Sequence, residues 1–424
     1  MNPTVPRDCV LPDPAAVHRV RSADGTALNV EEYGPDGAPI VVLAHGWTCA
    51  TTFWAPVVNR LAAEFRLVAY DQRGHGRSET PATTAGYGTD KLADDLEAVL
   101  LATVPAGQRA VLAGHSMGGM TIMAAADRPE VAARTAAALL ASTGAGDLVA
   151  ELAVVPAAVR HAGARRFLHR QILRSRLPLG PVTAVSRAAL KYATMGPAAP
   201  ADRVAACAQI VHACPTAVRH RWAGVLETLD VRPGLAHLTA PTAVVVGTHD
   251  RLTPPVLARR IAAALPNPQG LLELPGTGHM SPVERPTDIA TEIRRLATLA
   301  APHPPAAGSA RPSAGGTAVA GVSAAPPSVG PVQPAAPAPP AASSAKLSAG
   351  TVGASSAPPA AGSAQPPAGT EAAAGVSAAP PSAGATASAL PPAAGSAKPS
   401  GAAAGTSAAP SVRTAPTVVE ESAS

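Results

Sequence analysis

Short, nearly uninterrupted apolar runs recur along the first 145 residues of this chain, each followed by a helical pattern, and that alternation most restricts how it can fold. Ile40–Ala44 is apolar at every position, and Phe65–Tyr70 and Ala110–Ala113 repeat that character. A strand wetted on one face alternates apolar and polar residues, whereas a continuous apolar run belongs to a strand covered on both faces. Between these runs Thr89 caps a helical stretch reaching about Leu101. There Leu92, Leu96, Val99 and Leu100 recur at helical spacing, with Asp90, Asp94, Asp95 and Glu97 mostly outward. His18–Arg21 and Leu28–Tyr33, joined by Ala23-Asp24-Gly25-Thr26, read as a hairpin. Thr242–Val246 and Leu271–Leu274 add two strands, with helices after Pro254 and Pro286. Alternating β and α over this length predicts an α/β fold, a mainly parallel sheet with helices on both faces.

The alternation fails twice. Residues 146–235 are Ala- and Arg-rich and read as short helices, for example Asp202–Ala213, with Val204, Cys207, Ala208 and Val211 on one side. Lying between two sheet strands, this segment is expected to form an inserted helical cap over the sheet's C-terminal edge. It divides the core into residues 1–145 and 236–300. Residues 301–424 carry none of the ten aromatic side chains and consist mostly of Pro, Ala, Gly and Ser. PPAAGSA begins at Pro304, Pro358 and Pro391, and GVSAAPPS at Gly321 and Gly375, so this stretch is internally duplicated. Such a composition buries too little apolar surface to offset the entropy of ordering. A disordered, partly polyproline-like tail is expected, and its residues name no partner.

The formal net charge of +5 is scattered along the chain, without a Lys/Arg block or a basic-aromatic strip, which argues against a nucleic-acid partner. Met1–Val20 has no apolar core of a signal peptide, and no run approaches the roughly 20 apolar residues of a membrane span. The four cysteines (Cys9, Cys49, Cys207, Cys214) have neither metal-ligand spacing nor the density of a disulfide scaffold. Cys207 and Cys214 read as small core residues. A reducing, cytoplasmic setting and no metal are the expectation.

The chemistry gathers at loops after apolar runs. Gly114-His115-Ser116-Met117-Gly118-Gly119 follows the strand Ala110–Ala113 and opens a helix through Ala126. That is the context of a G-x-S-x-G elbow, in which small neighbours let strand and helix backbones approach and a tight turn exposes the serine. Ser116 is the candidate nucleophile, at a helix N-terminus that favours developing negative charge. An acyl-transfer site needs two N–H donors aimed at the oxyanion. Met117 supplies one, and the loop His45-Gly46-Trp47 after Ile40–Ala44 supplies the other, from the Trp47 backbone. His279, in Gly276-Thr277-Gly278-His279 after Leu271–Leu274, is the one of twelve histidines with both a loop beyond the last strand and the chain order Ser…Asp…His. His45, His75 and His115, in turns near the sheet edge, read as structural hydrogen-bonding residues. Asp250, after Thr242–Val246, is the candidate acid that orients the imidazole, and Asp147 is its rival.

The set HGW at 45–47, DQRGHGRS at 71–78, GHSMGG at 114–119, GTHD at 247–250 and GTGH at 276–279 resembles bacterial α/β-hydrolases of the esterase, lipase and haloperoxidase-like group. The resemblance spans residues 18–300. It implies an α/β-hydrolase fold, a triad of Ser116, Asp250 and His279, oxyanion donors at Trp47 and Met117, and no cofactor. Asp71–Ser78 looks like that family's shaping loop and is expected to be structural. A serine at the elbow, where epoxide hydrolases and haloalkane dehalogenases carry aspartate, directs the expectation to hydrolysis of an ester or thioester with a small apolar acyl group. The same triad also serves perhydrolysis and C–C bond hydrolysis. A non-catalytic small-molecule receptor on this fold is the rival from another class.

Overall fold

The computed structural model describes residues 5–156 and 158–301. Of the expected tail, 301–424, everything past Ala301 lies outside the described residues. Eight strands form one sheet: β1 (Ala16–Arg21), β2 (Ala27–Tyr33), β3 (Ile40–Ala44), β4 (Arg66–Tyr70), β5 (Ala110–His115), β6 (Thr135–Ala141), β7 (Thr242–Gly247) and β8 (Pro268–Leu274). Their order is β1-β2-β4-β3-β5-β6-β7-β8. The β1–β2 and β2–β4 pairs are antiparallel, and every other pair is parallel.

Helices follow the strands. The first four are α1 (Ala55–Leu61), α2 (Thr89–Thr103), α3 (Met117–Ala124) and α4 (Pro129–Arg134). Between β6 and β7 come α5 (Leu148–Glu151), α6 (Ala162–Leu173), α7 (Ala184–Thr194), α8 (Ala201–Ala213), α9 (Thr216–Thr228) and α10 (Arg232–Leu235). The chain ends its described part with α11 (Pro255–Ala264), α12 (Ser281–Glu284) and α13 (Pro286–Ala300). No described helix is long and apolar enough to cross a membrane.

The continuous apolar runs have the predicted cause. Along β3 the residues alternate between two cores: Val41 and Leu43 pack with Val58 of α1 and Ile293 of α13, whereas Val42 and Ala44 pack with Leu96 of α2 and Met120 of α3. Each face of a parallel sheet is covered by the helices that its crossovers require. The chain passes from β3 to β4 on one side and then returns to β5 on the other. Between β3 and β5 the winding reverses, and a crevice at the carboxyl ends of those strands is where α/β sheets bind ligands.

Two details of α2 differ from the sequence reading. Thr89 is the first helical residue and Gly88 takes the N-cap position. Asp95, expected to point outward with its acidic neighbours, is fully buried. It faces Arg73, whose guanidinium is sealed from solvent and reaches Asp95 Oδ1 at 2.6 Å and Oδ2 at 2.8 Å, with Asp24 Oδ2 at 2.8 Å from Nη1. A buried cation needs its counter-charge, and this pair fixes the loop after β4 against α2. Removing one partner of such a pair strands the other, so Asp95→Ala should lower the unfolding free energy by about 3–5 kcal/mol in urea titration. A loss below about 1 kcal/mol, the range of an exposed pair, would show that Asp24 alone satisfies Arg73.

Candidate active site

Ser116 stands between β5 and α3 with φ 52° and ψ −116°, a conformation that L-residues rarely hold. The surrounding packing imposes it. A Cβ on Gly118 would lie 2.0 Å from Ala44 O, one on Gly114 would lie 2.5 Å from the Gly118 carbonyl carbon, and one on Gly119 would lie 2.8 Å from Thr143 Oγ1. The three glycines therefore let α3 start directly over the end of β3. Ser116 N donates to Ala141 O (3.0 Å), and Thr143 Oγ1 donates to Ser116 O (2.7 Å), which closes the turn.

The loop after β3 comes to the same place. A Cβ on Gly46 would meet Ser116 Cβ at 3.1 Å, so the two loops touch there. Among the described residues neither the Trp47 nor the Met117 backbone N–H has a protein acceptor. Thr48 holds φ 64°, strained for a β-branched residue, and its N–H donates to His75 Nε2 (3.3 Å). Three residues on, Thr51 N donates to Asp71 Oδ1 (2.8 Å), and Gln72 N donates to His45 Nε2 (3.0 Å). Burial pushes the His45 imidazole down to about 4 and the His75 imidazole to about 3. Both rings stay neutral, as a nitrogen that accepts an N–H must be. The expectation of structural roles for His45 and His75, and for the loop 71–78, thus has its physical basis. His115 is buried too, its Nε2 donating to His279 O (2.8 Å).

His279 and Asp250 are brought together. The imidazole Nδ1 lies 2.9 Å from Asp250 Oδ2 and 3.1 Å from Oδ1, both side chains being almost wholly buried. Asp250 Oδ1 also accepts from Leu252 N (2.9 Å) and Thr253 N (2.8 Å), and Oδ2 accepts from Thr253 Oγ1 (2.9 Å). An aspartate that hydrogen-bonds its own chain two and three residues on is locked in one rotamer. Asp147, the rival, is half exposed and pairs with Arg232 (3.1 Å). No hydrogen bond joins Ser116 Oγ to the His279 ring, but both residues line one cavity of about 270 Å³. Much of its remaining wall is apolar and comes from 146–235, including Leu148, Leu173, Leu190, Val211 and Leu226. Among the described residues no three His, Cys, Asp or Glu side chains form a metal-ligand set.

Three residues that hold this arrangement escaped the sequence reading. Thr253 braces Asp250. Thr194 O, at the end of α7, accepts from His279 N (2.7 Å) and Met280 N (3.2 Å). Glu284 reaches both strips of backbone: its carboxylate accepts from Gly278 N (3.1 Å) and from Gly196 N (2.7 Å). Burial raises the Glu284 carboxyl above its ordinary value, against the pull of those two amides. Only Thr253 left a signal, as a Thr three residues after an Asp before Pro254. Nothing in the sequence relates Glu284 to Gly196. Glu284→Ala leaves two inward N–H groups without their acceptor, so unfolding free energy should fall by about 1–3 kcal/mol per stranded donor. Exchange of the Gly196 and Gly278 amides should accelerate together in hydrogen-exchange measurements. Unchanged protection at both would show that the loops are held elsewhere.

Comparison with known proteins agrees with this architecture. The family model described as the alpha/beta hydrolase fold matches residues 39–286. RutD of Variovorax paradoxus, named as a carbamate hydrolase, is 31% identical over 296 residues, covering 66% of this chain and 99% of that protein. EphD of Mycobacterium tuberculosis, named as an oxidoreductase, is 38% identical over 117 residues, which cover 28% of this chain and only 20% of EphD. An esterase from Thermogutta terrifontis shares the fold with a TM-score of 0.54 at 24% identity, covering 68% of this chain and 99% of that one. An eight-stranded sheet in this order, a strained serine turn after β5 and a family match over most of the described chain lead to one conclusion: the protein belongs to the α/β-hydrolase fold family.

Proposed function

We propose that the protein is a serine hydrolase that cleaves a carboxylic ester or thioester of a small, mainly apolar substrate through an acyl-enzyme. The observation that carries this reading is the buried His279–Asp250 pair at 2.9 Å, opening on the same cavity as the serine at the strained turn. A relative named as a carbamate hydrolase supports reaction at a carbonyl.

In this reading Ser116 Oγ attacks the carbonyl carbon, and His279 Nε2 takes the hydroxyl proton. Asp250 accepts the Nδ1–H, which keeps the lone pair on Nε2 and stabilises the imidazolium as it forms. The Trp47 and Met117 amides, with no protein acceptors to compete, donate to the oxyanion. His279 returns the proton to the leaving alcohol or thiol, then draws one from the water that hydrolyses the acyl-enzyme. The nucleophile–base hydrogen bond tightens in the Michaelis complex, as in many such sites. Residues 146–235 act as a cap that supplies the apolar walls and excludes water.

Three substitutions test the roles. Ser116→Ala should remove nearly all turnover of an activated ester, a loss on the order of 10⁶ in kcat, together with labelling by a fluorophosphonate. Asp250→Asn should leave the fold intact and cost roughly 10⁴ in kcat by misassigning the histidine tautomer. Asp147→Asn should change kcat little. Retention of more than about a tenth of wild-type turnover by Ser116→Ala would remove the serine from its role, and a larger loss at Asp147 than at Asp250 would reverse the assignment of the acid.

A further inference from the structure

Two arginines are buried among the described residues, Arg73 and Arg219. Arg73 is matched by Asp95 and Asp24, as burial of a cation demands. Arg219, in the first turn of α9 and only 6% exposed, has no such match. Among the described residues no Asp or Glu pairs with it, whereas elsewhere between β6 and β7 Arg170 and Arg174 pair with Glu227, and Arg232 with Asp230 and Asp147. Its one side-chain hydrogen bond runs from Nη2 to Leu177 O. Nε and Nη1 have no protein acceptor, yet neither is sealed off as the unsatisfied buried atoms of the core are. Arg219 is one of the residues that line the cavity shared by Ser116 and His279. The rest of that wall is apolar or neutral, so Arg219 brings the one permanent charge into it. The Trp47 indole N–H donates to Arg219 O (3.2 Å), which ties this cation to the loop that carries the candidate oxyanion donor.

A nearly buried guanidinium without a counter-ion is costly unless an anion arrives to complete it. We infer that Arg219 is a specificity residue that binds a carboxylate carried by the substrate, so that the preferred ester is a short-chain half-ester of a dicarboxylic acid. This rests on the serine-hydrolase reading and narrows it. The cavity's apolar walls take the methylene chain, and its volume of about 270 Å³ limits that chain to a few carbons. The planar fork of arginine matches the two oxygens of a carboxylate, and one cation suits one negative charge better than a phosphate dianion.

The test compares two esters of equal length, 4-nitrophenyl hydrogen glutarate and 4-nitrophenyl valerate, on wild-type, Arg219→Gln and Arg219→Lys proteins. The wild type should favour the glutarate half-ester at least about tenfold in kcat/KM, the scale of a hydrogen bond to a charged group. Arg219→Gln should lose that preference while hydrolysing the valerate within about twofold of wild type. Arg219→Lys, which keeps the charge but not the fork, should fall between, and it carries the comparison if the glutamine variant does not fold. No wild-type preference, a preference that survives in Arg219→Gln, or an equal loss on both esters as from a broken Leu177 tether would each overturn the proposal. Calorimetric binding of monomethyl glutarate and methyl valerate to Ser116→Ala protein, with and without Arg219→Gln, reads the anion site without turnover. If no ester is hydrolysed and no fluorophosphonate labels Ser116, the hydrolase reading fails. In that event selective, Arg219-dependent binding of monomethyl glutarate still supports the anion site, and its absence still sinks it.

Discussion

The whole candidate site hangs on how closely the backbone after β5 approaches the end of β3. Gly118 presses against Ala44 O so tightly that even a methyl group would be 2.0 Å from the oxygen. This contact sets the N-terminus of α3 over the sheet edge and forces Ser116 to φ 52°. Holding an L-residue there costs on the order of 1–3 kcal/mol, and the cost is carried by the packing of two cores rather than by the turn itself. A relaxed turn would leave the serine hydroxyl within the strand's own surface and separate the Met117 amide from the Trp47 amide. Placement of Ser116, the proposed nucleophile, and of the Met117 and Trp47 amides, the proposed donors, is therefore one geometric event.

Loops at a sheet edge leave backbone groups that need partners, and a small set of buried side chains supplies them. Asp71 serves the Thr51 and Arg77 amides, His45 serves Gln72, His75 serves Thr48, and Glu284 serves Gly196 and Gly278. The low protonation points of His45 and His75 belong to this work, since a protonated ring would have no lone pair to offer. The Arg73–Asp95 pair then anchors the entire loop to α2. Residues that look like a catalytic inventory, three histidines and several carboxylates, are mostly supports for backbone.

The segment between β6 and β7 takes part in both scaffold and recognition. Thr194 O and Gly196 N reach the loop of His279 directly or through Glu284, so the imidazole's position depends on residues from α7 onward. The same segment supplies most of the apolar cavity wall and Arg219. The chemistry proposed for this protein would come from loops of the sheet, and its selectivity from helices that the sheet does not specify.

Much was legible in the amino-acid sequence because it depends on short-range pattern. The run Ile40–Ala44 is apolar at every position, and Thr242–Val246 at every position after its first, which only a strand covered on both faces requires, and they are strands. Val204, Cys207, Ala208 and Val211 fall on the buried side of α8 because helical spacing places them there. Gly114, Gly118 and Gly119 announce a close backbone approach. What the sequence could not decide is which distant groups meet. Asp95 shares the polar spacing of its outward neighbours, and only the arrival of Arg73 from another loop makes its burial tolerable. Glu284 and Gly196, 88 residues apart, are joined only by the packing of the turn after α7 against α12. Arg219 reads as one more cation on a helix until the fold shows it buried without a carboxylate. Local periodicity follows from neighbouring residues, whereas charge pairing, backbone satisfaction and the lining of a cavity are set by contacts between remote segments, and those the tertiary structure alone determines.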